Sequence, residues 1–570
     1  MTKANTSFIP PWYEGASPEG SYRSLFKWGD LAAFKHPNKG MYHLLKKTFN
    51  LSDNDFQKPE NLGLDPLDIG VPIRLDPTVI SRLQSIVGNE NLTTETYDRI
   101  KASYGKGMLD ALRLRFKIIE NLPDAVLYPC SKEEVQAVVA FCQEQRIPVY
   151  PKGGGSSVTR GTEAVRGGIC LDLSRRMNQV IGLNEVDQTI TVQPGISGPE
   201  LERIANNAPE ILAAARRYTV GHFPQSFEFS TVGGWVVTRG AGQNSTYYGK
   251  IEDIVLSQEY VTPVGVLKTP KYPRAALGPD LNQLMVGSEG TFGVLTEVTL
   301  KLRRYMPENT LRFSYLFKTW DEARNACREI IQSEAGFPSV FRLSDPEETE
   351  VGMYMYGIYD SPAAGFLEKL GFQPMKRCLL VGSIDGARAF TQTVRKSVSQ
   401  VCRGYRVFNL SPFQITKRWE HGRFRDPYMR EDLQDFGILT DTLECAVRWD
   451  QMDGVYQKVR AYVKSRPRTI CMTHLSHAYP QGGNLYFIFI GKMDGIEEYL
   501  QFQVGLLDAI RDSGAGMSHH HGIGKQTAPW FVEQIGETSI GVLRNLKGYF
   551  DPEGIMNPGG TLGLDETDKK

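Results

Sequence analysis

The chain has 570 residues, 41% of them hydrophobic and 23% charged, a globular composition that excludes wholesale disorder. Lys and Arg together number 65, as do Asp and Glu, so the formal net charge is +0 and no basic field exists to hold nucleic acid. The length predicts several folding units, and no run approaches the ~18 consecutive apolar residues of a membrane-spanning helix.

Residues 1–115 begin irregularly, with Pro10, Pro11 and Pro18, and then turn largely helical, with stretches at 42–49 and 97–118. Met41, Leu44, Leu45 and Phe49 form an apolar stripe beside Lys46 and Lys47. That pattern suits a helix packed on the protein body or one lying on a membrane surface. The start lacks a basic segment and an apolar core, so no signal peptide is expected. The end, Asp568-Lys569-Lys570, is not the peroxisomal Ser-Lys-Leu. Eight cysteines form no CxxC and read as reduced thiols. A cytoplasmic protein, with membrane association as an option, is the expectation.

Residues 116–304 alternate strands with helices. Ser131 and Glu134 make a capping box, and Val135, Val138, Val139 and Cys142 behind it give the core face of a helix. Strands are expected at 149–150, 168–173, 189–193 and 293–302. Residues 305–500 read as a second α+β unit, with strands at 311–317 and 485–490 and helices at 321–333 and 452–464. Residues 501–570 are helical and end in a turn-rich run at 551–563.

Three Gly-rich segments carry the first chemical signal. Pro151-Lys152-Gly153-Gly154-Gly155-Ser156-Ser157 follows a strand directly, and its glycines allow several N–H groups to converge on phosphate oxygens. It has neither the P-loop Gly-Lys-Ser/Thr nor the GxGxxG spacing. Residues 226–251 and the run Gly287-Ser288-Glu289-Gly290-Thr291-Phe292-Gly293 have the same character. Three such stretches suit one long ligand with a diphosphate, a dinucleotide.

In order and spacing, PKGGGSSV, EFSTVGGW…YYGKIEDIV and VGSEGTFGVLTEVTL resemble the FAD domain of the vanillyl-alcohol oxidase/PCMH superfamily. Within it, Trp28-Gly29-Asp30, Gly221-His222, residues 228–235 and Ser518-His519-His520-His521-Gly522 are similar to alkyldihydroxyacetone-phosphate synthases. The resemblance implies an α+β fold: a two-subdomain PCMH-type FAD-binding domain with an α+β cap (substrate) domain, flanked by helical N- and C-terminal regions. The cofactor it implies is FAD. Contact positions are Pro151, Gly153, Gly154, Gly155, Ser156, Ser157, Ser230, Thr231, Gly233, Gly234, Thr238, Gly242, Glu289, Gly290 and Val294. No His stands in the 152–157 loop, where relatives often tether flavin, so the FAD is expected to be non-covalent.

Three consecutive histidines cannot all point one way, so they suit a pair of proton carriers or substrate binders better than a metal site. The resemblance puts His519, His520 and His521 at the active site, makes Tyr479 its acid/base, and adds Arg342 and Arg430 as functional arginines. A Tyr is a poor base unless cationic neighbours depress its pKa, and clustered His and Arg are expected to do so. Two departures stand out. Cys445-Ala446 replaces the polar Thr-Ser pair of the synthases. His477…Gly483-Asn484 faintly resembles the metal-binding segment of flavin 2-hydroxyacid dehydrogenases, but Tyr486 and His520 stand where further ligands would be, and no metal is assigned.

The activity implied is redox-neutral exchange of the acyl group of acyl-dihydroxyacetone phosphate for a fatty alcohol. The partners implied are these lipids, with peripheral membrane contact and a homodimer as further options. The alternatives are an FAD-linked oxidoreductase of a 2-hydroxy acid or alcohol, and a flavin- or lipid-binding module without turnover.

Overall fold

The computed structural model describes residues 16–57, 59 and 61–565; Pro10, Pro11 and the terminal Asp568-Lys569-Lys570 lie outside them. Where one helix is predicted over 97–118, two form, Thr96–Ser103 and Met108–Arg115. The break serves a close approach. A Cβ on Gly105 would stand 2.2 Å from the Ser157 carbonyl oxygen, and the Lys106 N–H donates to that oxygen at 2.7 Å. Helix Lys39–Phe49 buries its stripe: Met41, Leu45 and Phe49 pack with Val351, Met429 and Leu433. Its apolar face therefore looks into the protein and is not a membrane-facing surface.

The FAD-binding region has two main sheets, besides a two-stranded pair of Tyr218–Thr219 with Arg303–Arg304. In the first, strands run in the order Leu92–Thr93, Ala125–Leu127, Ile169–Asp172, Val149–Lys152, the last three parallel. Helix Lys132–Gln145 crosses between two of them, as a parallel pair requires. Ser131 caps it by accepting from the Glu134 N–H, while the Glu134 carboxylate turns to the Cys130 N–H at 2.7 Å, so only half of the expected capping box forms. The second sheet is antiparallel, in the order Val180–Asn184, Thr189–Val192, Val294–Lys301, Val255–Thr262, Gly265–Lys268.

The cap domain is a seven-stranded antiparallel sheet, in the order Phe408–Asn409, Leu311–Phe317, Cys378–Ile384, Val340–Ser344, Ile470–Tyr479, Gly482–Lys492, Ile438–Arg448. Alternation divides its two faces. Phe341, Leu343, Leu475, Leu485, Phe487 and Phe489 join a large core with helices Trp320–Ile331, Arg388–Arg403, Met452–Ser465 and Ile496–Asp512. The intervening residues, among them Arg342, His474, Tyr486 and Ile488, face the FAD-binding region. Helix Ile496–Asp512 spans the boundary expected at 500 and belongs to this core.

After the His run, helix Ala528–Phe550 returns the chain to the FAD-binding region. There Ile555 accepts from the Val149 N–H and the Asn557 N–H donates to Val149. All eight cysteines are unpaired. Among the described residues no helix is long and apolar enough to cross a membrane.

Candidate active site

One cavity of about 1170 Å³ lies between the Gly-rich loops and the inner face of the cap sheet. Pro151, Gly153 to Ser157, Ser230, Thr231, Gly233, Gly234, Thr238, Glu289 and Gly290 all line it. Two expected positions do not. Gly242 packs on its neighbours, a Cβ there meeting the Phe223 nitrogen at 2.3 Å, and Val294 is buried with the first sheet's core. The N–H groups of Gly154, Gly155, Ser156 and Ser157 donate to no other group among the described residues. These half-buried N–H groups can meet the acceptors of a ligand in the cavity, and Gly155 takes φ +68°, the left-handed twist that turns successive N–H groups into one concavity. The loop is an anion cradle with its donors unspent, which fits the diphosphate of a dinucleotide.

The His run is held by one buried carboxylate. Glu444, on strand Ile438–Arg448, accepts the Ser518 hydroxyl at 2.7 Å and the N–H groups of His519, His520 and His521. A second carboxylate, Glu289 of the FAD-binding region, accepts from Ile523 N–H at 2.7 Å and Gly524 N–H at 2.8 Å. Burial pushes Glu289 up to about 7, against the pull of those N–H groups. So anchored, the imidazoles splay. His520 and His521 line the cavity. His519 turns back, its Nε2 3.1 Å from the Tyr479 hydroxyl and its Nδ1 3.2 Å from His520 Nδ1.

Four further residues complete this centre, two of them, His222 and His477, in segments that the sequence resemblances point to. His477 sits in a strand irregularity at φ +50°, lines the cavity, and is fixed through Nδ1 by Ser245 Oγ at 2.7 Å. His222 lines the cavity against Trp235, with neither ring nitrogen hydrogen-bonded among the described residues. His474 Nδ1 donates to Glu348 at 3.0 Å, and Glu348 also accepts from Arg342 Nη2 at 2.8 Å. Although burial favours the neutral acid, Arg342 and then His474 hold Glu348 down at about 2.

Burial keeps the imidazoles neutral. It lowers His477, His519, His520 and His521 below the usual range, with neighbouring imidazoles adding to the effect at the first three, and brings His222 to about 3. Tyr479 is raised, mainly by burial. The expected depression by cationic neighbours does not occur, because those neighbours are uncharged imidazoles. Arg430 lines the cavity from helix Tyr428–Gln434, with Nη2 on Glu431 at 2.7 Å, Nη1 on the Lys106 carbonyl at 2.7 Å, and its guanidinium over Trp28. Glu444, His519 and His520 bring ligand atoms within 4.8 Å of one another, but Glu444 Oε1 is already shared among the run's N–H groups.

The chain matches the family model "FAD binding domain" over residues 123–269 and "FAD linked oxidases, C-terminal domain" over 306–561. It is 30% identical to an alkyldihydroxyacetonephosphate synthase of Dictyostelium discoideum, over 90% of this chain and 84% of that one. A solved structure of an alkyldihydroxyacetonephosphate synthase, 27% identical, superposes with a TM-score of 0.78 over 94% of this chain and 99% of that one. The chain belongs to the vanillyl-alcohol oxidase/PCMH superfamily of FAD-binding proteins. It is also 29% identical to the FAD-linked oxidoreductase YgcU of Escherichia coli K12, over 84% of this chain and 97% of that protein.

Membership accounts for the cradle: FAD is the dinucleotide whose diphosphate the 154–157 N–H groups fit. Of the expected reaction residues, Arg342, Arg430, His520 and His521 line the cavity, while Tyr479 and His519 stand behind it. Ser245 and Glu348 carry no signal of their own, since each becomes functional only through a partner far away in sequence.

Proposed function

We propose that this superfamily member is an alkyldihydroxyacetone-phosphate synthase-like enzyme, exchanging the acyl group of acyl-dihydroxyacetone phosphate for a long-chain alcohol with non-covalently held FAD. The observation that carries the reading is the cavity's composition. A compact polar centre of imidazoles and Arg342 opens into long apolar walls such as Met472, Ile488, Leu379 and Leu316. A small hydroxy acid needs the first and has no use for the second.

Bound FAD supplies an electrophilic ring that takes up and returns electron density. The protein's own residues do the rest. Arg342 spends only Nη2 on Glu348, leaving donors for phosphate or carboxylate oxygens. His520 and His477, neutral and on the cavity wall, are placed to accept a proton from substrate carbon, although the burial that keeps them neutral also lowers their basicity. The Tyr479–His519 pair fixes the orientation of this wall from behind. The apolar walls exclude water from the reacting carbon.

Mass spectrometry of FAD-loaded protein incubated with acyl-dihydroxyacetone phosphate and hexadecanol, without an electron acceptor, tests the reading: the alkyl ether is the expected product. A second reading, oxidation of a 2-hydroxy acid or alcohol, is favoured by Cys445-Ala446, which removes two hydroxyls, and by the similarity to an oxidoreductase. Absence of ether together with flavin bleaching by a 2-hydroxy acid establishes that alternative. Acid precipitation releasing all flavin into solution confirms the non-covalent mode.

A further inference from the structure

Residue 106 joins three parts of the protein. Glycines flank it, and each permits a close approach. A Cβ on Gly105 would stand 2.2 Å from the Ser157 carbonyl oxygen, and one on Gly107 would stand 3.0 Å from that of Val158. Asp110 holds the turn by accepting from the Gly105 N–H at 3.1 Å. The Lys106 backbone is thereby pressed against the end of the phosphate cradle, where its N–H donates to Ser157 at 2.7 Å. Its carbonyl accepts from Arg430 Nη1, also at 2.7 Å.

The side chain reaches the N-terminal region. Helix Tyr22–Phe26 stops at Lys27, and its last carbonyls find no N–H within the helix. Lys106 Nζ donates to two of these carbonyls, Leu25 at 2.7 Å and Lys27 at 2.8 Å. The next residue is Trp28, which lines the cavity and carries the Arg430 guanidinium 5.5 Å above its ring. A guanidinium has five N–H groups. Arg430 gives its Nε and one Nη2 N–H to Glu431 and one Nη1 N–H to Lys106, so two remain among the described residues. Glu431 and the Lys106 carbonyl hold the guanidinium by its edges, and the ring beneath limits its tilt.

We infer that Lys106 is a positioning residue for Arg430. Its carbonyl holds one edge of the guanidinium, and its amine holds the 25–27 backbone that sets Trp28 beneath it. The two remaining N–H groups then meet an anionic headgroup in one orientation, which is what bidentate recognition of a phosphate requires. This rests on the reading above only in taking the headgroup to be a phosphate. Removing the Lys106 amine while keeping its backbone loosens Arg430 without removing any group that touches the ligand.

Two measurements on FAD-loaded protein test this role. In the first, modification of Arg430 by phenylglyoxal is followed by peptide mass spectrometry. Lys106→Met is expected to speed it about fivefold, the order that one lost hydrogen bond gives, with Arg342 unchanged as internal standard. Lys106→Arg, which still offers donors to both carbonyls, is expected to keep the parent rate. Trp28→Leu, with Lys106 intact, is expected to reproduce the acceleration. An unchanged Arg430 rate in Lys106→Met and Trp28→Leu overturns the assignment, as does an equal rise at Arg342, the mark of general loosening. In the second, dihydroxyacetone phosphate is titrated through its perturbation of the flavin spectrum. Lys106→Met and Arg430→Met are each expected to weaken binding about tenfold, and the double variant no further, because one change acts through the other. Additive losses overturn the role. Faster labelling of Arg430 with no dihydroxyacetone phosphate bound by the parent keeps the positioning role and removes the phosphate headgroup.

Discussion

The Tyr479 hydroxyl meets His519 Nε2 at 3.1 Å, and His519 in turn meets His520, the imidazole on the cavity wall. Tyr479 is therefore one step removed from the reacting atoms, and burial holds its phenol protonated. Replacing it with Phe removes an orienting contact without removing a titrating group. Tyr479→Phe is expected to lower kcat by on the order of tenfold to a hundredfold while the pH–rate profile keeps its shape. Loss of a limb of that profile in the variant would show that Tyr479 itself exchanges the proton.

Glu444 satisfies three backbone N–H groups and one hydroxyl. Orphaning buried donors costs about 1–3 kcal/mol each, partly relieved where water reaches them. Urea unfolding of Glu444→Ala is expected to show a loss of roughly 3 kcal/mol or more, with Glu444→Gln recovering most of it because an acceptor oxygen remains. Equal loss in both variants would point to the charge instead of the acceptor.

Gly155 adopts φ +68°, and a Cβ there would stand 3.0 Å from the Lys152 side chain. An Ala in the left-handed region costs about 1–2 kcal/mol. Relief of that strain flattens the cradle, so Gly155→Ala is expected to weaken FAD binding roughly tenfold, read by flavin fluorescence. Unchanged affinity would assign the diphosphate to another loop.

His222 is 1% exposed and burial lowers it to about 3 from an ordinary value near 6.5. Between those two pH values the unfolded chain binds a proton that the folded chain refuses, so this residue's contribution to stability is intact above about 6.5 and is lost as pH falls. The slope is at most ~1.4 kcal/mol per pH unit. His222→Phe is expected to flatten the acid side of a stability–pH curve; an unaltered slope would locate the effect in the other imidazoles.

The phosphate cradle and the His run were legible because each is contiguous: glycines for unusual backbone angles and imidazoles for proton chemistry stand side by side in the chain. Amphipathic helices such as Met452–Ser465 were legible from their period. The break at 104–107 was not, since apolar spacing continues on both sides of it and only the approach of Ser157 demands Gly105. Glu348 stands in the first turn of a helix, where acids are common, and only the strand register brings His474 and Arg342 to it. The protonation of Tyr479 has a related cause: the sequence places imidazoles near it, but their burial, which strips them of charge, depends on the whole fold.

Glu444 belongs to the cap and Glu289 to the FAD-binding region, yet both grip the short stretch from Ser518 to Gly524. That stretch is a tie-bar: swinging the cap away like a hinged cover would tear the imidazoles from one anchor or the other. Loading such a centre calls for threading. On the synthase reading proposed above, a lipid would enter through a side passage while the two halves stay locked.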